Sequence, residues 1–315
     1  MGNTNLFVIF NPCAAKGKAK KAKRPISSYF EKHGFTCVFH ETTCRGHASQ
    51  LASQAVRQGE PIVIAAGGDG TINEVVDGLL REQKELKLTA QQLPRLGIIP
   101  VGRGNDFAWM MHIPHDICKA CALIVSNKSR FVDAGISYGG DFPDGRYFIN
   151  GEGMGFEPLV TFIGSSFKHL SGTLSYLFAF LRIMGHYPRP CTIKMGVDDK
   201  ESFEVLTQQV SICNGRRMGS AFIMGPNAQV DDGFFDLVYA NKPVLPSKLV
   251  STALRFLKGT QLELDDFTQI RCTKVNLVSL DNPMPVHVDG EKISLGCLEF
   301  HCELLPAALA IFSVS

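Results

Sequence analysis

The 315-residue chain has no run of the roughly 18 apolar residues that a membrane-spanning helix needs. Nor does it open like a secretory signal. Met1 to Asn5 lacks a basic region, and Leu6 to Phe10 is too short an apolar run. Leucine at position 6 departs from the myristoylation pattern. Together these absences set a reducing, cytoplasmic location as the expectation. Charge of one sign is not in excess either: the net charge is +2 with 20% charged residues, which argues against a nucleic-acid binder that depends on a strong global field. The ten cysteines are unevenly spaced, and Cys118 and Cys121 form a CxxC with no second pair to complete a zinc site. A disulfide framework is not needed at this size. Internal repeats, low-complexity segments and flexible linkers are also missing.

What the chain does have is apolar material. Hydrophobic residues make up 45%, enough for a sizeable core in one long domain or two ordinary ones. Apolar strands at Leu6 to Phe10, Phe35 to His40, Pro61 to Ala66 and Leu96 to Ile99 alternate with helical patterns at Lys18 to His33, His47 to Gly59 and Ile72 to Arg81. Such alternation predicts a parallel sheet covered on both faces. After about residue 133 the pattern turns β-rich. Strands are expected at Phe131 to Ser137, Arg146 to Asn150, Cys191 to Gly196, Phe203 to Cys213, Phe234 to Tyr239, Gln269 to Leu280, Val286 to Val288 and Gly296 to Leu305. Helices are expected at Gly172 to His186 and Pro246 to Leu257.

The strongest local signal is Ala66-Gly67-Gly68-Asp69-Gly70-Thr71, between an apolar strand and an amphipathic helix. Glycine permits positive φ and leaves room between backbone and ligand. Backbone N–H groups at such a turn can cradle phosphate. Asp69 adds a carboxylate where magnesium or a reacting hydroxyl would sit. The structural alternative is a tight turn with Asp69 as a helix cap. A dinucleotide fingerprint is excluded, because Asn73 stands where the third glycine should be. A P-loop is excluded too: no glycine lies five residues before Gly17, and Ala19 replaces the metal-binding Ser or Thr. A second turn, Pro100-Val101-Gly102-Arg103-Gly104-Asn105-Asp106-Phe107, follows the next strand. In a parallel sheet both turns leave the carboxyl ends of their strands and can face one crevice. Asn11-Pro12-Cys13-Ala14-Ala15 ends the first strand and leads into Lys16, Lys18, Lys20, Lys21, Lys23 and Arg24. Those lysines attract phosphate or simply form a solvated face.

Asn11-Pro12, Gly67 to Thr71 with Glu74, Gly102 to Asp106, Pro226 to Asp236 and Asp289-Gly290-Glu291 together resemble the diacylglycerol kinase catalytic-domain family, which includes bacterial soluble lipid kinases and sphingosine kinases. The GGDGT turn alone is shared with NAD kinases and phosphofructokinases. The resemblance spans nearly the whole chain. It implies a Rossmann-like α/β nucleotide-binding domain over 1–133, a β-sandwich lipid-substrate domain over 134–303, a cleft active site, and a final segment, 304–315, that packs back on the first domain. ATP would contact Asn11, Pro12, Cys13, Ala14, Ala15, Thr42, Gly67, Gly68, Asp69, Gly70, Thr71, Ile72 and Asn73, with Gly102, Arg103, Gly104 and Asn105 in the second turn. Arg103 departs from the threonine common in bacterial relatives, although an arginine can pair with phosphate directly.

By the same resemblance Asp69, Asp106 and Asp133 surround catalytic magnesium. Asp289 is the general base, followed by Glu291, and Asp69 competes for the base role. Asp232, with backbone carbonyls of Gln229 and Phe234, would form a structural magnesium loop, and a plain turn is its structural alternative. The implied activity is transfer of the γ-phosphoryl group of ATP to a lipid hydroxyl, most simply that of diacylglycerol. Alternatives are a sphingoid base or other lipid alcohol, NAD or a sugar phosphate, or a non-catalytic nucleotide- or lipid-binding module. A lipid acceptor implies transient peripheral contact with a membrane, no nucleic-acid partner, and, by the family, a homodimer. The apolar stretch Leu174 to Met184 would dock on a bilayer, line an acyl pocket, or form a core helix.

Overall fold

A computed structural model describes residues 4–159 and 189–313. The chain divides into two compact units, residues 1–132 with 307–315, and residues 133–306. The expected helix at Gly172 to His186, with its Leu174 to Met184 stretch, lies outside the described residues.

In the first unit, strands β1 (Thr4–Phe10), β2 (Phe35–Glu41), β3 (Ile62–Gly67) and β4 (Arg95–Pro100) form a parallel sheet in the order β2-β1-β3-β4. The chain's last strand adds beside β4, where Ile311 pairs with Leu96 in parallel. Helices α1 (Lys23–Lys32), α2 (His47–Arg57) and α3 (Asp69–Leu86) connect the strands, and α4 (Asp106–Met110) and α5 (Ile117–Val125) follow β4. Val8, Phe10, Ile26, Phe30, Ile64, Ile99 and Phe312 are buried together in the core. Strands buried on both faces explain why β1 and β3 read as continuous apolar runs. Helices α2 and α3 cross closely at Gly78, where a Cβ would lie 2.2 Å from the Ser49 carbonyl oxygen.

One expected helix starts later than its periodicity suggests. Over Lys18 to His33, regular α-helix begins only at Lys23, after a 3-10 stretch, Ala14–Ala22, interrupted by left-handed Ala15 (φ 48°), Lys16 (φ 60°) and Gly17 (φ 83°). Pro25 accounts for the difference. Its missing N–H and its ring are tolerated in a first turn but break a helix interior.

The second unit is a β-sandwich. Its strands are β5 (Ser129–Gly139, entering from the first unit), β6 (Phe142–Phe148), β7 (Gly151–Gly155), β8 (Cys191–Val197), β9 (Phe203–Thr207), β10 (Gln209–Cys213), the short β11 (Arg217–Met218) and β12 (Phe222–Ile223), β13 (Phe235–Ala240), β14 (Phe267–Cys272), β15 (Lys274–Ser279), β16 (Met284–Val288), β17 (Glu291–Cys297) and β18 (Glu299–Phe312). One antiparallel layer runs β18-β15-β8-β9. The other runs β14-β13-β10-β7-β16-β17. Phe148, Ile193, Met195, Ile212, Phe235, Leu277, Val286 and Phe300 pack into one core from both layers. Helix α6 (Leu249–Lys258) lies between β13 and β14 in sequence.

Two expected strands are each a pair. Phe203 to Cys213 breaks at Gln208, and Gln269 to Leu280 breaks at Thr273, so that β9 and β10, and likewise β14 and β15, lie in opposite layers. A chain that switches layers keeps its strand composition, so an apolar pattern alone does not reveal the corner.

Candidate functional site

In the first unit the two glycine turns leave the carboxyl ends of neighbouring parallel strands and touch. The Val101 N–H donates to the Gly67 carbonyl at 2.9 Å. A Cβ on Gly102 would lie 2.3 Å from the Gly68 Cα, and one on Gly67 would lie 2.4 Å from the Thr71 side chain. These glycines are therefore required by the turns themselves, before any ligand approaches.

Asp69 fastens the turns together. Its Oδ2 accepts from the Asn105 N–H at 2.7 Å, and its Oδ1 accepts from the Asp106 N–H at 2.7 Å and the Phe107 N–H at 3.4 Å. Asp69 thus caps the start of α4, while its own helix, α3, has Gly68 at the N-cap and no side-chain cap bond. Burial raises the Asp69 carboxyl above its ordinary range, outweighing the backbone N–H bonds that pull it down. Asn105 adopts a left-handed conformation (φ 52°), and its Oδ1 accepts from the Gly102 N–H at 3.1 Å. Asn105 and Asp106 are buried, Gly104 is partly covered and Arg103 is exposed.

The first-strand turn joins the same cluster. Asn11 Nδ2 donates to Thr71 Oγ1 at 2.9 Å, and Asn11 Oδ1 accepts from the Cys13 N–H at 2.9 Å. The Asn11 N–H donates to the Ala66 carbonyl. Pro12 and Ala14 flank this turn, and left-handed Ala15 follows. The Thr42 N–H donates to the Phe10 carbonyl at 2.9 Å, which sets Thr42 beside the end of β1. Thr71, Ile72 and Asn73 are buried in the first turn of α3, and Gly70 is partly covered. Glu74 has a job the sequence did not reveal: its carboxylate accepts from the Gly46 N–H at 2.8 Å and the Ala48 N–H at 3.1 Å, capping α2.

In the second unit Asp289 and Gly290 are the two loop residues of the β16–β17 hairpin, with Val288 opposite Glu291. Both have positive φ, 48° and 79°, as a type I′ turn requires, and Asp-Gly is a favoured pair there. The Asp289 carboxylate accepts three backbone N–H groups: Ile149 at 3.0 Å on Oδ2, Asn150 at 2.9 Å and Gly151 at 2.8 Å on Oδ1. A carboxylate has about four acceptor positions, so these bonds fix its orientation. Glu291 faces Arg146 at 3.3 Å.

Asp133 is buried and belongs to the second unit, whereas Asp69 and Asp106 belong to the first. Asp133 Oδ2 accepts from the Gly233 N–H at 2.8 Å, and its own N–H donates to the Val230 carbonyl. Asn214, buried after β10, links this point to the Asp289 anchor. Its Nδ2 donates to the Asp133 carbonyl at 3.0 Å and to the Ile149 carbonyl at 2.6 Å. Asn214 was not legible as a site residue, although the Asn214-Gly215 pair just past a strand was the available signal.

In the 225–236 loop Asp232 Oδ1 accepts from the Phe234 N–H at 3.1 Å, and Oδ2 faces Arg271 Nη2 at 2.5 Å. The Arg271 guanidinium also lies over the Phe234 ring, 4.3 Å from its centroid. The Gln229 side chain is exposed. Among the described residues no three His, Cys, Asp or Glu side chains converge as a metal cage.

An α/β unit with paired glycine turns and an antiparallel β-sandwich define the architecture shared by NAD kinases and diacylglycerol kinases. Residues 5–136 match the profile of the diacylglycerol kinase catalytic domain, and residues 153–313 that of the YegS C-terminal NAD kinase beta sandwich-like domain. The chain is 32% identical over 289 residues to a diacylglycerol kinase of Bacillus subtilis (strain 168), covering 90% of this chain and 88% of the relative. A diacylglycerol kinase of Staphylococcus carnosus (strain TM300) is 30% identical over 288 residues, covering 90% and 87%. A crystal structure of a candidate diacylglycerol kinase from Bacillus anthracis strain Sterne has a TM-score of 0.77 at 20% identity, covering 100% of this chain and 96% of that one. An NAD kinase from Archaeoglobus fulgidus, solved with ATP, has a TM-score of 0.51 at 11% identity, covering 98% and 94%. The chain belongs to the diacylglycerol kinase family and is a kinase.

Proposed function

We propose that this kinase transfers the γ-phosphoryl group of ATP to a lipid hydroxyl, with diacylglycerol as acceptor and phosphatidic acid as product. The observation that carries this is the open N-terminus of α3. An 18-residue helix begins at a glycine with no side-chain cap, and Gly102 packs against that glycine. Backbone N–H groups and the helix dipole there favour a phosphate. The diacylglycerol kinase relatives supply the acceptor class.

Phosphoryl transfer depends mainly on positioning and electrostatics. Asn11, Thr71 and the backbone of Gly67 to Asn73 would hold the nucleotide's phosphates, and Arg103 would pair with one of them. Asp289 would accept the proton of the lipid hydroxyl as its oxygen attacks the γ-phosphorus and the bond to ADP breaks. A rigidly oriented carboxylate suits that task, since misplacement of a reacting group is costly.

Magnesium, which the family implies, is usually held by one or two carboxylates together with phosphates and water. Asp69 at the start of α3 and Asp106 at the start of α4 are the neighbouring carboxylate residues that would hold it, the Asp106 backbone N–H donating to Asp69 Oδ1 at 2.7 Å. When bound it offsets phosphate charge. The 225–236 loop does not fit a structural magnesium as it stands, because Asp232 already faces the Arg271 cation. A lipid acceptor also implies transient contact with a membrane surface. No helix among the described residues is long and apolar enough to cross a membrane.

The test is ADP release by the purified chain with ATP, magnesium and mixed micelles of diacylglycerol, of a sphingoid base, or with NAD instead. Release stimulated by diacylglycerol supports the proposal. Stimulation by NAD alone would overturn it.

A further inference from the structure

A buried polar chain ends at the Asp289 turn. His287 precedes that turn on β16 and is 1% exposed. Its Nδ1 accepts from the Gly290 N–H at 3.2 Å. A nitrogen that accepts carries no hydrogen, so the hydrogen of the neutral ring sits on Nε2. Nε2 meets Glu157 Oε1 at 2.5 Å and donates to it. Glu157 is itself tethered, its N–H donating to Gln209 Oε1 at 3.1 Å.

The neighbouring strand makes room for the pair. Gly153 on β7 stands opposite His287, and a Cβ there would lie 1.8 Å from Glu157 Oε2 and 3.0 Å from His287 Nε2. A buried charge-assisted pair in a sandwich core is costly unless fully hydrogen-bonded, and apolar residues of the same volume would pack as well. From Glu157 Oε1 through the ring the bonds lead to the Gly290 N–H, while Glu157 Oε2 is buried without a hydrogen-bond partner among the described residues. The other side of the same turn is pinned by the Asp289 carboxylate to Ile149, Asn150 and Gly151, and by the Asp289 N–H to the Gly151 carbonyl at 2.8 Å. The turn is therefore held from both sides.

We propose that Glu157 and His287 are positioning residues for Asp289: Glu157 fixes the tautomer and tilt of His287, and His287 fixes the Asp289–Gly290 turn. The proposal rests on the role of Asp289 as acceptor of the lipid hydroxyl's proton.

The test compares kcat and KM for diacylglycerol-stimulated ADP release in the full chain and its E157A, E157Q, D289N and E157A/D289N variants. E157A is expected to lower kcat about 100-fold, the scale of a roughly 1 Å misplacement, with KM for ATP unchanged. E157Q, whose amide oxygen still accepts from His287, is expected to recover most of that loss. In the D289N background E157A is expected to add less than about twofold, because residues acting as a unit are non-additive. Should E157A fail to fold, E157D withdraws the oxygen by one methylene and carries the same comparison. Wild-type kcat in E157A, or losses that multiply in full in the double variant, would overturn the proposal. Wild-type kcat in D289N would instead remove the role of Asp289 on which it rests.

Discussion

Asp69 and Asp289 are used alike. Each is a carboxylate at a glycine-flanked turn, and each accepts three consecutive backbone N–H groups from a distant segment. The motifs made both residues legible, but not their bonds, because those partners lie 36 to 38 residues away for Asp69 and 138 to 140 for Asp289. Long separation likewise hid Glu74, 26 to 28 residues from its partners, and Asn214, 65 to 81 residues from its own. D289N is expected to lower kcat about 10²- to 10⁴-fold, the usual contribution of a positioned base, while affinity for ATP is unchanged. D69N is expected to weaken ATP binding, because an amide NH₂ would face the N–H donors of α4, and each unmade buried bond costs about 1–3 kcal/mol. Titration calorimetry with ATP separates the two. Asp236 gives a pH dependence. Burial first, then Asp232, pushes its carboxyl up to about 6, against the opposing pull of Arg271 and Gln269. The folded state then holds this proton more tightly than the unfolded chain, so ionising Asp236 costs stability as pH rises from about 4 to about 6. D236N has no such proton. Its melting temperature relative to wild type is expected to move in the variant's favour over that window, and a flat difference would remove Asp236 from the account.

At the level of elements, the alternation of strands and helices disclosed the parallel sheet because both its faces are buried. The glycine turns disclosed themselves by composition, yet their reason is partly internal. Glycines expected to admit a ligand also admit one another, Gly102 against Gly68. Gly102→Ala is expected to push the turns apart at a cost of about 1–3 kcal/mol, the usual penalty for overpacking, and to weaken ATP binding. Thermal melting with and without ATP measures both effects, and a variant that binds ATP like the parent would show the contact to be slack. The layer switches at Gln208 and Thr273 were not legible, because strand periodicity continues through a corner. Pro25, by contrast, was available as the mark of a late helix start and outranks the basic periodicity around it.

For the whole molecule, the change from alternating to β-rich patterning marked a division near residue 133, and the structure divides there, with residues 307–315 in the first unit. The unit boundary falls inside β5 and inside β18, so a pattern of strands alone could not locate it. The proposed acceptor class is taken from the diacylglycerol kinase relatives, since neither the glycine turns nor the hairpin turn specifies it. Label transfer from γ-labelled ATP into a panel of hydroxyl lipids, beside the D289N variant, tests the central claim most directly. Label in phosphatidic acid, requiring magnesium and lost in D289N, is the expected result. No label in any lipid from a protein that binds ATP would contradict it.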